Sequence, residues 1–168
     1  FLLIKQVAFT LLKKITNSRT FDQWALLIKP GQPDLNLSWD KFKRILPPKD
    51  RIWADPFILE RDGQTGVFIE EMYFETRRGT INYLKLDEQA NILSNQVVIE
   101  RPYHLSYPFI FEYDGETYMI PETGGNRTIE LYRCTHFPDQ WEFHKTLMQD
   151  VRAVDATLIK HEGRWWMF

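Results

Sequence analysis

Three nine-residue windows of this chain can be laid under one another, and their spacing restricts the fold more than any other feature. They are DPFILERDG (55–63), YPFIFEYDG (107–115) and DATLIKHEG (155–163), starting 52 and then 48 residues apart. Each opens on a polar-capable residue, alternates apolar side chains in the manner of a strand, and closes on an acidic residue followed by Gly. That last pair is a hairpin signal, because Gly supplies the positive φ of a tight turn. A returning strand follows each turn: TGVFIEE (65–71), TYMIPET (117–123) and WWMF (165–168). A third strand matches between repeats, TINYLKL (80–86) against TIELYRC (128–134), and a fourth places VVIERP from Val97 opposite KTLMQD from Lys145. Four short antiparallel strands repeated at this period describe one blade of a β-propeller.

The repeat divides the chain. Residues 53–102 form a first blade, 104–150 a second, and 154–168 open a third that stops within its second strand. Before them, WALLIKPG (24–31) and WDKFKRILPP (39–48) read as third and fourth strands, the latter because it resembles WEFHKTLMQD (141–150). Residues 24–48 are thus expected to supply the outer strands of a ring-closing blade and to be poorly anchored when the rest of the ring is absent. The chain is expected to be a fragment of a longer protein, since it begins without Met and ends inside a blade. Residues 1–20 form a helix and linker: FLLIKQVAFTLLKKI (1–15) presents a broad apolar face, with Lys5, Lys13 and Lys14 on the remainder. Its apolar runs are too short to span a membrane, which leaves packing on the propeller or a weak membrane-surface contact.

Composition narrows the partners. The 168 residues carry a net charge of −2 with scattered Lys and Arg, so there is no electrostatic footprint for nucleic acid. A single cysteine, Cys134, excludes an internal disulfide framework and suits a cytoplasmic, reducing compartment. It reads as a buried strand residue. His104, His136, His144 and His161 lack the close pairing of a zinc site, so neither a metal nor a cofactor is expected. Aromatic residues make up 15% of the chain, which suits a β core and lends support to sugar stacking.

Residues in equivalent places on the innermost strands of successive blades point at one common channel. The first window position is Asp55, Tyr107 and Asp155; seven residues past the window glycine stand Glu70 and Glu122. Recurring carboxylates facing one space suit sugar hydroxyls, and also glycoside hydrolysis, in which one acid protonates the leaving oxygen and a second carboxylate activates water. An Asp opening a strand also caps turns through backbone N–H groups, and for Asp55 and Asp155 both readings stand. In the long second-to-third strand loop of the first blade, Phe74, Glu75, Arg77 and Arg78 either line the channel mouth or form a solvated hairpin.

Two resemblances add to this. WADPF (53–57) and VDATLIKHEGRWWMF (154–168) resemble opening strands of the five-bladed propellers of glycoside hydrolase family 43. That likeness implies Asp55 as general base and Asp155 as the carboxylate that orients it and tunes the acid, with the general acid itself beyond Phe168. More specifically, HLSYPFIFEYDGETYMIPET (104–123), with WADPF before it and IELYRCTHFPDQW (129–141) after it, resembles the N-terminal propeller domain of glucosamine inositolphosphorylceramide transferases and their bacterial relatives. This implies a carbohydrate-recognising domain, inactive by itself, beside a sugar-transferring domain. Asp55, Glu70, His104, Tyr107, Glu122 and Asp155 would contact the sugar, and Trp53 or Tyr107 would stack on it. The alternative is an inverting hydrolase built on Asp55 and Asp155.

Overall fold

The computed structural model describes residues 22–29, 31, 38–61 and 64–168. The expected helix at 1–15 and the first hairpin turn at 62–63 lie outside the described residues. What is described is all β apart from two short 3-10 turns.

Two four-stranded antiparallel meanders form the body. The first runs β3 (Arg51–Arg61), β4 (Gln64–Tyr73), β5 (Gly79–Leu86) and β6 (Ile92–Ile99); the second runs β7 (Ser106–Tyr113), β8 (Glu116–Thr123), β9 (Thr128–His136) and β10 (Gln140–Gln149). Two-stranded pieces flank them: β1 (Leu26–Ile28) with β2 (Lys43–Ile45), and β11 (Leu158–His161) with β12 (Arg164–Met167). The expected repeat is present in the pairing. Phe57 faces Phe68 across β3 and β4, and Phe109 faces Ile120 across β7 and β8, each residue of the second pair lying 52 positions after its counterpart. The turns at Asp114-Gly115 and Glu162-Gly163 have positive φ at both residues, as a two-residue hairpin with right-handed strand twist requires.

Side-chain alternation makes these sheets into a stack. Val67 and Ile69 on β4 face one way, into a cluster with Leu26, Ile45, Trp53 and Leu84; Phe68 between them faces the other way, into a cluster with Ile81, Tyr83, Leu105, Ile110, Met119 and Tyr132. The second cluster glues the two meanders face to face, and burying a ring such as Phe68 contributes about 2–3 kcal/mol. A third cluster, Ile120, Ile129, Leu131 and Ala156, joins the second meander to the chain that leads into β11. The order of layers is therefore β1–β2, first meander, second meander, β11–β12. Among the described residues the layers do not close into a ring or barrel.

Two expectations need correction. The strands at 24–48 are not poorly anchored: Leu26 and Ile45 are buried against the first meander, because the apolar face of β4 and β5 would otherwise meet water. Cys134 lies on a strand as expected but is only half-buried, with burial raising its thiol pKa.

Candidate functional site

The first strand of each meander carries a bulge at the same place. On β3 the pairing slips between Ala54 and Phe57, and on β7 between Ser106 and Phe109. The slipped pairs are Asp55-Pro56 and Tyr107-Pro108. Proline suits a bulge because it has no N–H to leave unpaired in the ladder. Asp55, Tyr107 and Asp155 all adopt left-handed backbone, with φ of 49°, 43° and 51°. The first window residue of all three repeats thus shares the same left-handed backbone.

Opposite the bulges stand two acids in matching register, Glu70 across from Ala54 and Glu122 across from Ser106. Glu70 lies close enough to Asp55 to feel its charge, and Glu122 is coupled in the same way to Asp155 and Ser106. Asp55 Oδ2 accepts the Tyr107 N–H at 3.2 Å. The Tyr107 hydroxyl in turn lies 2.8 Å from Thr157 Oγ1, which donates to the Asp155 carbonyl at 3.0 Å. A chain of hydrogen bonds therefore links equivalent positions of all three repeats.

His104 completes the group. Its Nδ1 accepts the Gly79 N–H at 2.9 Å, so the ring hydrogen sits on Nε2, 3.3 Å from Glu70 Oε1. Burial depresses the imidazole pKa, opposed by the Arg77 backbone oxygen and the Asp55 charge. The close fit depends on Gly79, whose absent Cβ would lie 2.2 Å from the Leu105 carbonyl oxygen and 2.9 Å from the His104 ring.

Glu70 is the most deeply placed acid of the group, 7% exposed. Burial, followed by the charges of Asp55 and Glu122, pushes its pKa up to about 7. Glu122 moves in the same direction for the same two kinds of reason, burial and the Asp155 charge. With its pKa near neutrality, Glu70 can offer a proton as a donor as well as accept one.

Two other buried acids differ in kind. Glu71 receives the Trp53 indole N–H at 2.7 Å, the Asn95 and Asn82 amides at 2.8 and 3.1 Å, and Arg51 at 3.3 Å. Glu130 receives Tyr132, Thr128, Asn126 and Tyr103 between 2.6 and 2.9 Å. Burial works against the Glu130 charge, but these hydrogen bonds outweigh it and lower the pKa. Both carboxylates are saturated from within and belong to the scaffold.

Of the residues expected at a site, Asp55, Glu70, His104, Tyr107, Glu122 and Asp155 come together. Trp53 does not: it is 4% exposed, packed with Val67 and Ile69, and its one polar atom is committed to Glu71. Ser106, Gly79 and Thr157 were not anticipated. Gly79 and Thr157 act between neighbouring repeats, whereas Ser106 stands across from Glu122 within one, and only the recurring Tyr107 and Asp155 positions hinted at where the inter-repeat contacts fall.

Residues 47–168 match the family described as glucosamine inositolphosphorylceramide transferase 1, N-terminal. The chain belongs to this family. Curated proteins named glucosamine inositolphosphorylceramide transferase 1 are similar to it: one from Oryza sativa subsp. indica is 35% identical over 116 residues, and one from Arabidopsis thaliana is 34% identical over 115. Each alignment covers 68% of this chain but only 16% and 15% of those proteins, so the chain spans about a sixth of their length. No solved structure matches it. The region shared with the glucosamine inositolphosphorylceramide transferase family includes both meanders and the whole carboxylate–histidine group.

Proposed function

We propose that this chain is a carbohydrate-recognising module of a sugar-transferring protein, built as part of a five-bladed β-propeller. The observation that carries the reading is the convergence of Asp55, Tyr107 and Asp155, from equivalent bends of three repeats, with Glu70, His104 and Glu122. Several carboxyl groups together with an imidazole and a phenol match the alternating donors and acceptors of sugar hydroxyls. The curated relatives are named as glucosamine inositolphosphorylceramide transferases, which supports a sugar-transferring context. Face-to-face stacking of four-stranded meanders supports the propeller, with β1–β2 and β11–β12 as partial blades.

A second reading, an inverting hydrolase of the family 43 type, is favoured by one observation, an acid held near pH 7 beside a carboxylate. Against it, Glu70 and Asp55 are closely coupled to each other, whereas inverting pairs stand about 6.5–9.5 Å apart with water between them. Asp155 is the remaining candidate to act with Asp55.

The test is glycan-array binding together with a glycosidase assay on the protein that carries this chain at its natural length, with Asp55→Asn and Asp155→Asn beside it. Binding without turnover, weakened by both changes, is expected. Hydrolysis abolished by both would replace this reading with the hydrolase, and no binding by the unaltered protein would refute it.

A further inference from the structure

A second concavity lies on the same edge of the first meander, away from the carboxylates. It is lined by Asp22, Trp24, Ile52, Met72, Phe74 and Arg77. Ile52, Met72 and Phe74 form an apolar floor from the start of β3, the end of β4 and the loop that follows. The Trp24 indole stands beside this floor 61% exposed, the most exposed Trp among the described residues. A carboxylate and a guanidinium sit at the rim.

Both walls are pinned to one stretch of backbone. The Gln23 side-chain amide donates to the carbonyls of Pro48 at 2.8 Å, Arg51 at 3.2 Å and Pro47 at 3.4 Å, fixing the chain that carries Asp22 and Trp24. On the opposite wall, the Phe74 N–H donates to the Asp50 carbonyl at 2.9 Å, and the Arg51 guanidinium lies 4.1 Å from the centre of the Tyr73 ring. The backbone on both sides of the concavity is therefore fixed, and the Trp24 indole projects from the anchored segment into solvent. An aromatic side chain has few rotatable bonds, and carried on fixed backbone it loses little entropy on capturing a ligand.

The pocket is also joined to the carboxylate group. Arg77 contributes its side chain to the rim and its backbone oxygen to His104, which contacts Glu70.

We infer that this pocket is a saccharide subsite in which Trp24 stacks on the apolar face of a neutral pyranose while Asp22 and Arg77 bond its hydroxyls. A pyranose presents C–H groups on its faces and hydroxyls at its edge. An indole face paired with a carboxylate acceptor and a multi-donor guanidinium complements both. The inference rests on the carbohydrate reading above and deepens it, moving the stacking role from the buried Trp53 to the exposed Trp24.

The experiment uses an array of glucose-, mannose-, galactose- and glucosamine-terminated oligosaccharides, probed with the protein at its natural length as wild type, Trp24→Ala, Trp24→Phe and Asp55→Asn. The strongest responder is then titrated. Trp24→Ala is expected to weaken binding by about tenfold, the loss of one stacked ring, and Trp24→Phe to recover most of it. Because the indole is exposed, thermal midpoints should be unchanged, so lost binding reports lost contact. Wild-type affinity in Trp24→Ala alongside weakened Asp55→Asn would overturn the subsite and leave the carbohydrate reading standing. A wild type that answers no sugar would overturn both.

Discussion

Asp55 accepts the backbone N–H of Tyr107, the residue that occupies its own place in the next repeat. The contact passes from one left-handed bend to the next, so each bend both presents a side chain and receives its neighbour. Asp tolerates this backbone because its short polar side chain bonds locally; a residue with only a Cβ gains nothing to offset the crowding. Asp55→Ala is expected to destabilise the fold by about 1–2 kcal/mol more than Asp55→Asn, since Asn both tolerates left-handed backbone and keeps an acceptor oxygen. Urea unfolding of the two variants tests this, and equal midpoints would show that neither the bend nor the Tyr107 contact matters to stability.

Gly79 holds the seam between the meanders. A methyl group there would collide with the Leu105 carbonyl, which is backbone and cannot swing away, and with the His104 ring. Gly79→Ala is expected to cost about 3 kcal/mol, the upper end for overpacking. It should also speed hydrogen exchange at the Leu105 amide, which donates to the Gly79 carbonyl at 3.0 Å. Gly115→Ala provides the contrast: it has open space around it but a φ of +77°, so only backbone strain of about 1 kcal/mol is expected. Calorimetry ranking the two the other way round would locate the tight contact elsewhere.

What could be read from the chain beforehand divides along physical lines. Hairpins such as Asp114-Gly115 are local chemistry, and the spacing of Asp55 from Tyr107 carries the repeat register directly, so the meanders and the match of Glu70 with Glu122 were visible. Trp53 was misread because an aromatic on an alternating strand looks the same whether it faces a ligand or a core. The deciding partner, Glu71, lies on the neighbouring strand and bonds the indole from there. Gly79 and Thr157 stayed hidden because their contacts join one repeat to another. The anchoring of Leu26 and Ile45 was missed for a related reason: an isolated pair of outer strands still finds the apolar face of β4.

Stability should fall as pH rises through neutrality, and Glu70 is the reason. Its folded pKa of about 7 lies above the ordinary 4.5, so the fold favours the protonated acid. Between those values the native state binds more protons than the unfolded chain. The contribution is thus fully present below about pH 4.5 and lost as pH rises through about 7, with a ceiling of about 3 kcal/mol. Glu122, raised in the same direction, adds to the slope. His104 opposes it, because its depressed pKa costs stability as pH falls. Glu70→Gln keeps a donor toward Asp55 and removes the titration. It is expected to flatten the loss between about pH 5 and 8 in denaturant unfolding followed across pH. An unchanged slope would mean that another group carries it.

Trp53→Phe separates scaffold from site. Phe retains most of the apolar volume packed against Val67 and Ile69 but has no N–H, so Glu71 loses its shortest donor while remaining buried. A buried carboxylate stripped of one hydrogen bond, with a small void where the larger ring stood, is expected to cost about 2 kcal/mol. The remaining donors to Glu71 come from Asn82, Asn95 and Arg51 and cannot fill the vacated direction without leaving their own strands. Glycan binding measured well below the lowered midpoint should equal that of the unaltered protein, because nothing Trp53 touches belongs to the carboxylate–histidine group. Trp24→Ala gives the mirror image, with unchanged stability and weakened binding. If Trp53→Phe weakened binding without lowering the midpoint, the indole would have to reach a ligand from inside the core, and the assignment of Glu71 to the scaffold would fail with it.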